Sequence, residues 1–327
     1  MSRPKIATRD AYGRTLIELG RKNTDIVALD ADLADSTRSG WFGREFPERF
    51  FDVGIAEENL ITVAAGLATA GKIPFASSFA VFATERAFNQ IRQSVAFCNL
   101  NVKIVASHGG VTVGEDGASH HSIFDIALMR ILPNMTVVVP ADAVETVLAT
   151  KAIAEYYGPV YMRTGRSAVP QIYEDGFKFE GKQFNFELGK AVTLKEGSDV
   201  AIIATGLMVS ESLSAADKLA TEGVKARVID MHTIKPLDVG TIVRAAADCG
   251  AVVTAEEHTI LGGLGSAVAE TLASSIPVPM EVIGVRDVFT LSGSPDALLN
   301  EYGLTAGNIA EAAKRAKARK EKNEYSL

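Results

Sequence analysis

Cysteine is nearly missing from this chain. Only Cys98 and Cys249 occur in 327 residues, which leaves no disulfide framework and no cysteine-ligated zinc cluster. No run of about eighteen apolar residues exists, so no membrane-spanning helix is expected. The opening Met-Ser-Arg-Pro-Lys leads into polar sequence without an apolar signal region. These features together predict a cytoplasmic protein with reduced thiols. A basic excess is missing as well. The formal charge of −7 argues against a general nucleic-acid or membrane-surface binder. Small anions stay open, because a few local arginines can hold a phosphate in an acidic protein. No Walker loop is present. Gly262-Gly263-Leu264-Gly265-Ser266 precedes a helix and could receive an anion at its N-terminus. It lacks the full dinucleotide fingerprint, and a tight strand-to-helix turn is the favoured reading.

What is present is globular. Hydrophobic residues make up 47% and charged residues 22%, well outside the disordered regime, and the length suits two domains. Strand and helix signals alternate. Residues 10–22 carry helical apolar spacing at Tyr12, Leu16, Ile17 and Leu19. Residues 26–29 read as a buried parallel strand, and 56–70 as an alanine-rich helix. A strand over 103–106 precedes a polar glycine-rich loop over 107–122. Another strand, 136–139, stops at Pro140, and Asp142 is placed to N-cap the next helix. The pattern breaks over 165–189, which reads as a linker. A second series has strands at 200–204, 226–230, 251–254 and 280–283. The basic tail helix over 310–322 is expected to fray. The fold expected is two parallel-sheet α/β domains, residues 1–180 and 190–327. That architecture hosts many chemistries, so function has to come from sites.

Four constellations carry chemistry. Asp52-Val53-Gly54-Ile55-Ala56-Glu57-Glu58-Asn59 puts two acids at the mouth of the apolar helix. They either complement the helix dipole, or one of them turns inward. Successive helical residues point about 100° apart, and an inward carboxyl suits acid–base work. Ser77-Ser78-Phe79-Ala80-Val81-Phe82 is a strand end with core aromatics or a flat slot for a planar heterocycle. Ser107-His108-Gly109-Gly110, with Gly114-Glu115-Asp116-Gly117-Ala118-Ser119-His120-His121, gathers three of the five histidines beyond a strand's carboxyl end, where parallel α/β folds bind ligands. It is either a solvated loop or a polyol-binding and proton-transfer site. Adjacent histidines make a poor ligand pair for one ion, so no metal is assigned. Val160-Tyr161-Met162-Arg163-Thr164-Gly165-Arg166 presents a guanidinium that could capture a phosphate or form a salt bridge.

Taken together these motifs resemble the transketolase family. Their order is Ala31–Ser36 (Ala-Asp-Leu-Ala-x-Ser), Gly54–Glu57 (Gly-x-x-Glu), Ser77–Phe82, Ser107–Ser119 and Arg163–Arg166 (Arg-Thr-x-Arg). The resemblance spans the whole chain and matches only the latter part of a full transketolase. It implies a pyrimidine-binding domain followed by a transketolase C-terminal domain, with thiamine diphosphate as cofactor.

By that resemblance Glu57 hydrogen-bonds the cofactor's aminopyrimidine, and Phe82 stacks on it with help from Phe79. Ser36, Arg163 and Arg9 hold the sugar phosphate. Asp116 reads a donor hydroxyl, and His108 and His120 lie near the reacting carbonyl and hydroxyls. The implied reaction transfers a two-carbon unit from a ketose phosphate to an aldose phosphate in the pentose phosphate pathway. The family's Gly-Asp-Gly motif and later asparagine, which hold Mg2+ or Ca2+ and the diphosphate, do not occur. A separate N-terminal transketolase subunit is therefore expected, in a heterotetramer of two copies of each chain. Two departures stand out. Many relatives have arginine where this chain has Ala56, and Ala83-Thr84-Glu85-Arg86 aligns only with a one-residue shift. The competing resemblances are deoxyxylulose-phosphate synthase, the β subunit of a 2-oxo-acid dehydrogenase, and a catalytically silent scaffold subunit.

Overall fold

The computed structural model describes residues 4–322. Strand Ile26–Asp30 is buried at all five positions, as a central parallel strand covered on both faces must be. Successive side chains point to opposite faces. Ile26 and Ala28 therefore meet Tyr12, Leu16 and Phe42 from helices Thr8–Lys22 and Ser39–Glu45. Val27 and Leu29 meet Leu60, Ile61 and Ala64 from helix Glu57–Thr69. The sheet built on this strand has seven strands. Their order is Thr233–Lys235, Thr136–Val138, Val160–Arg163, Lys103–Ser107, Ile73–Phe79, Ile26–Asp30 and Phe50–Asp52. All pair in parallel except Thr233–Lys235, which is antiparallel.

That antiparallel edge comes from the second half of the chain, where the sequence pattern predicts no strand. The second half has its own five-stranded sheet, ordered Val192–Lys195, Ala226–Asp230, Val200–Ala204, Val252–Thr259 and Met280–Val285. Its last four strands are parallel. Helices Met208–Thr221 and Ala306–Glu321 pack on one face through Met208, Leu219, Ile309 and Ala313. Helices Val239–Cys249 and Leu264–Ser274 cover the other, and their core runs without a break into that of the first sheet. The two expected parallel α/β layers are thus present, joined by a shared core and a donated strand.

Three sequence expectations need correction. The tail helix starts earlier, at Ala306, and buries Ala312, Ala313 and Ala316 against the second sheet; small alanines hide that packing in a basic sequence. Strand Val252–Thr259 runs through Glu256, Glu257 and His258, all buried, because each charged group finds an internal partner. The stretch over 165–189 is fastened rather than free. Strand Ala168–Pro170 pairs with Lys5–Ala7, and the buried rings of Tyr173 and Phe177 stack at 4.1 Å.

Candidate active site

Five parallel strands end along one edge of the first sheet. Asp30 leads to Ser36 and Arg38, Asp52 to Glu57, Phe79 to Phe82, Ser107 to His108, and Arg163 to Arg166. This convergence is a property of parallel topology, since every strand points the same way. Among the described residues no cluster of three or more His, Cys, Asp or Glu could hold a metal ion.

Glu57 opens its helix and is 5% exposed, while Glu58 is exposed. The carboxylate accepts from Arg86 Nη1 at 3.2 and 3.4 Å. The same guanidinium lies 4.3 Å from the centre of the Phe82 ring. Arg86 therefore places a guanidinium against the Glu57 carboxylate. Its placement follows from a π-helical turn, Phe82–Arg86. One extra residue per turn is how a helix absorbs an insertion, and such bulges concentrate at functional sites. The one-residue misfit at Ala83–Arg86 falls on this turn. An open cleft of about 520 Å³ lies beside Glu57, lined by Ile55, Ala56, Glu58, Asn59 and Arg86.

The aromatic rings are layered. Phe79 and Phe82 stack with centroids 5.7 Å apart, and His108 stacks on Phe79 at 3.7 Å. His120 meets the Phe82 ring edge-on at 5.3 Å. His108 adopts a left-handed backbone, φ 59°, and its ring is buried. Arg9 Nη1 approaches Nε2 at 3.4 Å and Ser107 Oγ lies 2.8 Å from Nδ1. An arginine can only donate, so Nε2 is the acceptor and Nδ1 carries the proton. Burial, then the nearby charges of Arg9, Arg166, His120 and Arg38, push His108 down to about 3, so this ring is neutral at physiological pH. His120 is half-buried, with Nδ1 2.9 Å from Ser119 Oγ.

Arg9, Arg38 and Arg166 thus surround His108. Arg9 Nη1 donates to the Ser36 carbonyl at 2.9 Å, and its buried Nε has no partner. Arg38 donates to Asp10 at 2.6 Å. The buried Asp30 carboxyl accepts from Leu33 N, Thr37 Oγ1 and Ser39 Oγ, each at 2.7 Å, and so fixes the turn that carries Ser36 and Arg38. Arg166 donates to the Val113 carbonyl and lies 3.7 Å from Asp116. Asp116 itself is exposed.

Arg163 is the exception among the expected site residues. It is 5% exposed; Nη2 donates to the Ser122 and Glu257 carbonyls, and Nε faces Asp125 at 3.2 Å. Burial opposes its charge, but Asp125, Glu257, Tyr161 and Glu256 outweigh burial and raise its pKa. It packs across Gly109, where a Cβ would lie 1.9 Å from Nε. Arg163 therefore braces the loop from beneath, and the cation at the mouth is Arg166. Arg38, Arg86 and Arg166 went unflagged by sequence reasoning. Arg166 closes the same Arg-Thr-x-Arg motif, and that was the available signal. The turn over 262–266 holds no external anion site: Glu256 accepts the N–H groups of Leu264 and Gly265 at 2.7 Å each.

A layered aromatic wall, an inward carboxylate and several arginines come together at the carboxyl edge of a parallel sheet, chemistry suited to a planar ring and an anion. Residues 4–171 match the transketolase pyrimidine-binding domain and residues 189–309 the transketolase C-terminal domain; the chain belongs to the transketolase family. It is 45% identical over 312 residues to a 6-deoxy-6-sulfo-D-fructose transketolase subunit of Clostridium sp. strain MSTE9, covering 95% of both chains. It is 41% identical over 313 residues to an apulose-4-phosphate transketolase subunit of Phocaeicola vulgatus, covering 96% of this chain and 98% of that one. A solved split-gene transketolase, described as an inactive β4 tetramer, shares 53% identity and a TM-score of 0.88 over 96% of this chain and 99% of its own. No helix among the described residues is long and apolar enough to cross a membrane.

Proposed function

We propose that this chain is the pyrimidine-binding subunit of a two-chain, thiamine-diphosphate-dependent transketolase. Its partner is an N-terminal subunit that binds the diphosphate through Mg2+ or Ca2+, in a heterotetramer with two copies of each chain. The reaction moves a two-carbon ketol unit from a ketose phosphate to an aldose phosphate. The observation that carries this reading is the place Arg86 occupies. A flat, N–H-donating cation resting on Phe82 and against Glu57 is what an aminopyrimidine protonated at its ring nitrogen would also be. The residues present therefore fit the cofactor's ring.

Bound thiamine diphosphate supplies the nucleophilic carbon that cleaves and rebuilds the carbon–carbon bond. This chain supplies the rest. Glu57 shares a proton with the pyrimidine ring nitrogen in a dry site, where that hydrogen bond is strong. Phe82, backed by Phe79, provides the flat face. Neutral His108, its Nε2 accepting from Arg9, holds that guanidinium beside the reacting carbonyl and hydroxyls. His120, nearer Phe82, moves a proton at the reacting oxygen. Asp116 accepts from a donor hydroxyl. Arg9, Arg38 and Arg166, with Ser36 beside them, hold the sugar's anionic end, the task that the resemblance assigned to Arg163. The relatives' substrates are a sulfo-sugar and a sugar phosphate by name, and both carry such an anion.

Support for a separate partner comes from relatives of matching length that are named subunits. The test is co-expression with the N-terminal subunit, followed by two-carbon transfer assays on a panel of phosphorylated and sulfonated ketoses. Transfer by the pair, and neither transfer nor tight thiamine diphosphate binding by this chain alone, is expected. Stoichiometric tight binding by the single chain in calorimetry would refute the split reading.

A further inference from the structure

The loop bearing His108, Asp116 and His120 leaves the first sheet after Ser107, yet much of what holds it belongs to the second domain. Glu257 accepts the Thr112 N–H at 2.6 Å. Its carboxylate fills the space above Gly110, where a Cβ would lie 2.1 Å from Cδ. Farther along, Ser292 Oγ donates to the Glu115 carbonyl at 2.5 Å. Pro295 and Ser292 close over Gly114 and Gly117, at 3.3 and 3.4 Å from where each Cβ would be. Both glycines have positive φ, 88° and 75°, so the turn between them is one that other residues rarely adopt.

His121 is the connection between the two. It is 3% exposed, with Nε2 2.9 Å from the Gly114 carbonyl and Nδ1 2.8 Å from Thr290 Oγ1. A carbonyl can only accept, so Nε2 carries the proton and Nδ1 accepts from the Thr290 hydroxyl. The Gly114 carbonyl selects the tautomer, and the Thr290 hydroxyl satisfies the other nitrogen and holds the ring in that orientation. The backbone N–H groups of His120 and His121 both return to the Gly117 carbonyl, at 2.9 and 3.1 Å. Asp116 and His120 are thus carried by a turn whose two ends are tied through one imidazole.

We propose that Thr290 is a positioning residue for donor recognition. Through His121 it sets the Gly114–His120 turn, and the second domain serves as the template on which the polyol-reading loop is shaped. The proposal rests on the reading that this loop faces the sugar hydroxyls. The test uses the reconstituted two-chain complex with Thr290→Val, which keeps the shape and removes the hydroxyl, and with Thr290→Ser, which restores it. In the valine variant the donor KM should rise about tenfold, the scale of one lost hydrogen bond. The kcat and the apparent cofactor affinity should stay within about twofold, and serine should return KM to the wild-type value. Nitrogen NMR of the His121 ring gives a readout independent of turnover: an Nδ1 shift of a hydrogen-bonded acceptor in wild type and serine, and of an unbonded acceptor in valine. An unchanged Nδ1 shift and donor KM in an active valine complex overturns the proposal. So does a loss of kcat and melting temperature that serine does not repair. A wild-type complex that transfers no two-carbon unit from any ketose overturns the transketolase reading itself, and with it the role given to the turn.

Discussion

Glu57 and Glu58 are consecutive acids with opposite surroundings, one buried under Arg86 and the other in water. If Glu57 shares the pyrimidine proton, glutamine there keeps the shape and cannot exchange it. Glu57→Gln in the assembled complex should slow exchange of the thiazolium proton with deuterium by about 10²–10⁴-fold. Glu58→Gln should cost only helix-end electrostatics of about 0.3–1 kcal/mol. Quenched NMR on both variants decides, and the reverse pattern would move the catalytic register by one residue. Arg86 has to leave the Phe82 face for a cofactor ring to stack there. Its partly exposed ion pair is worth about 0.2–1 kcal/mol, so Arg86→Ala should tighten apparent cofactor binding by up to about fivefold. Weaker binding would mean that Arg86 stays and helps. At this scale the motifs pointed to Glu57, Phe79, Phe82 and the histidine loop, which the structure brings to one edge of the first sheet. They did not separate Arg163 from Arg166, because two arginines in one strand-end motif differ only in which of them turns under the loop.

Elements were legible where period and caps agreed. Asp142 was expected as an N-cap, and Oδ1 does accept the Glu145 N–H at 2.8 Å. What local pattern cannot contain is its other oxygen, which accepts the N–H groups of Ile172 and Tyr173 at 2.6 and 2.8 Å. One carboxylate thus starts a helix and ties down the connection between the domains. Asp142→Ala should cost the cap, about 1 kcal/mol. It also strands two buried N–H groups at about 1–3 kcal/mol each, for a total of about 3–7 kcal/mol in denaturant unfolding. A loss near 1 kcal/mol would mean that water replaces the connecting bonds. The donated strand Thr233–Lys235 and the π-helical turn were illegible for a related reason. Three residues give no usable period, and an insertion looks like misalignment until the helix is seen to widen.

Across the whole molecule the two α/β layers followed from the alternating pattern, but their junction did not, since it is built from residues far apart in sequence. Glu145, on the helix Ala143–Glu155, and Asp230, at the end of strand Ala226–Asp230, are fully buried across that junction, where Glu145 Oε1 and Asp230 Oδ1 have no hydrogen-bond donor. Tyr173 donates to Asp230 at 2.8 Å. Burial, then the charge of Asp230, raises Glu145 well above its usual range, and burial lifts Asp230 to about 7. Two carboxylates in contact cannot both ionise in a dry site, so the folded pair keeps a proton that the unfolded chain releases near pH 4. A raised folded pKa on an acid means that the native state binds more protons through that window. Its stabilising contribution is complete below about pH 4, falls as pH rises, and is exhausted above about 7. Asp230→Asn keeps an acceptor for Tyr173 and a donor for Glu145 and removes the Asp230 titration, leaving Glu145 raised by burial. Relative to wild type, the variant should therefore gain about 2–4 kcal/mol between pH 4 and 8, read as a widening difference in unfolding free energy across a pH series. A difference that stays constant with pH would show that the pair shares no proton and that the junction is held by packing alone.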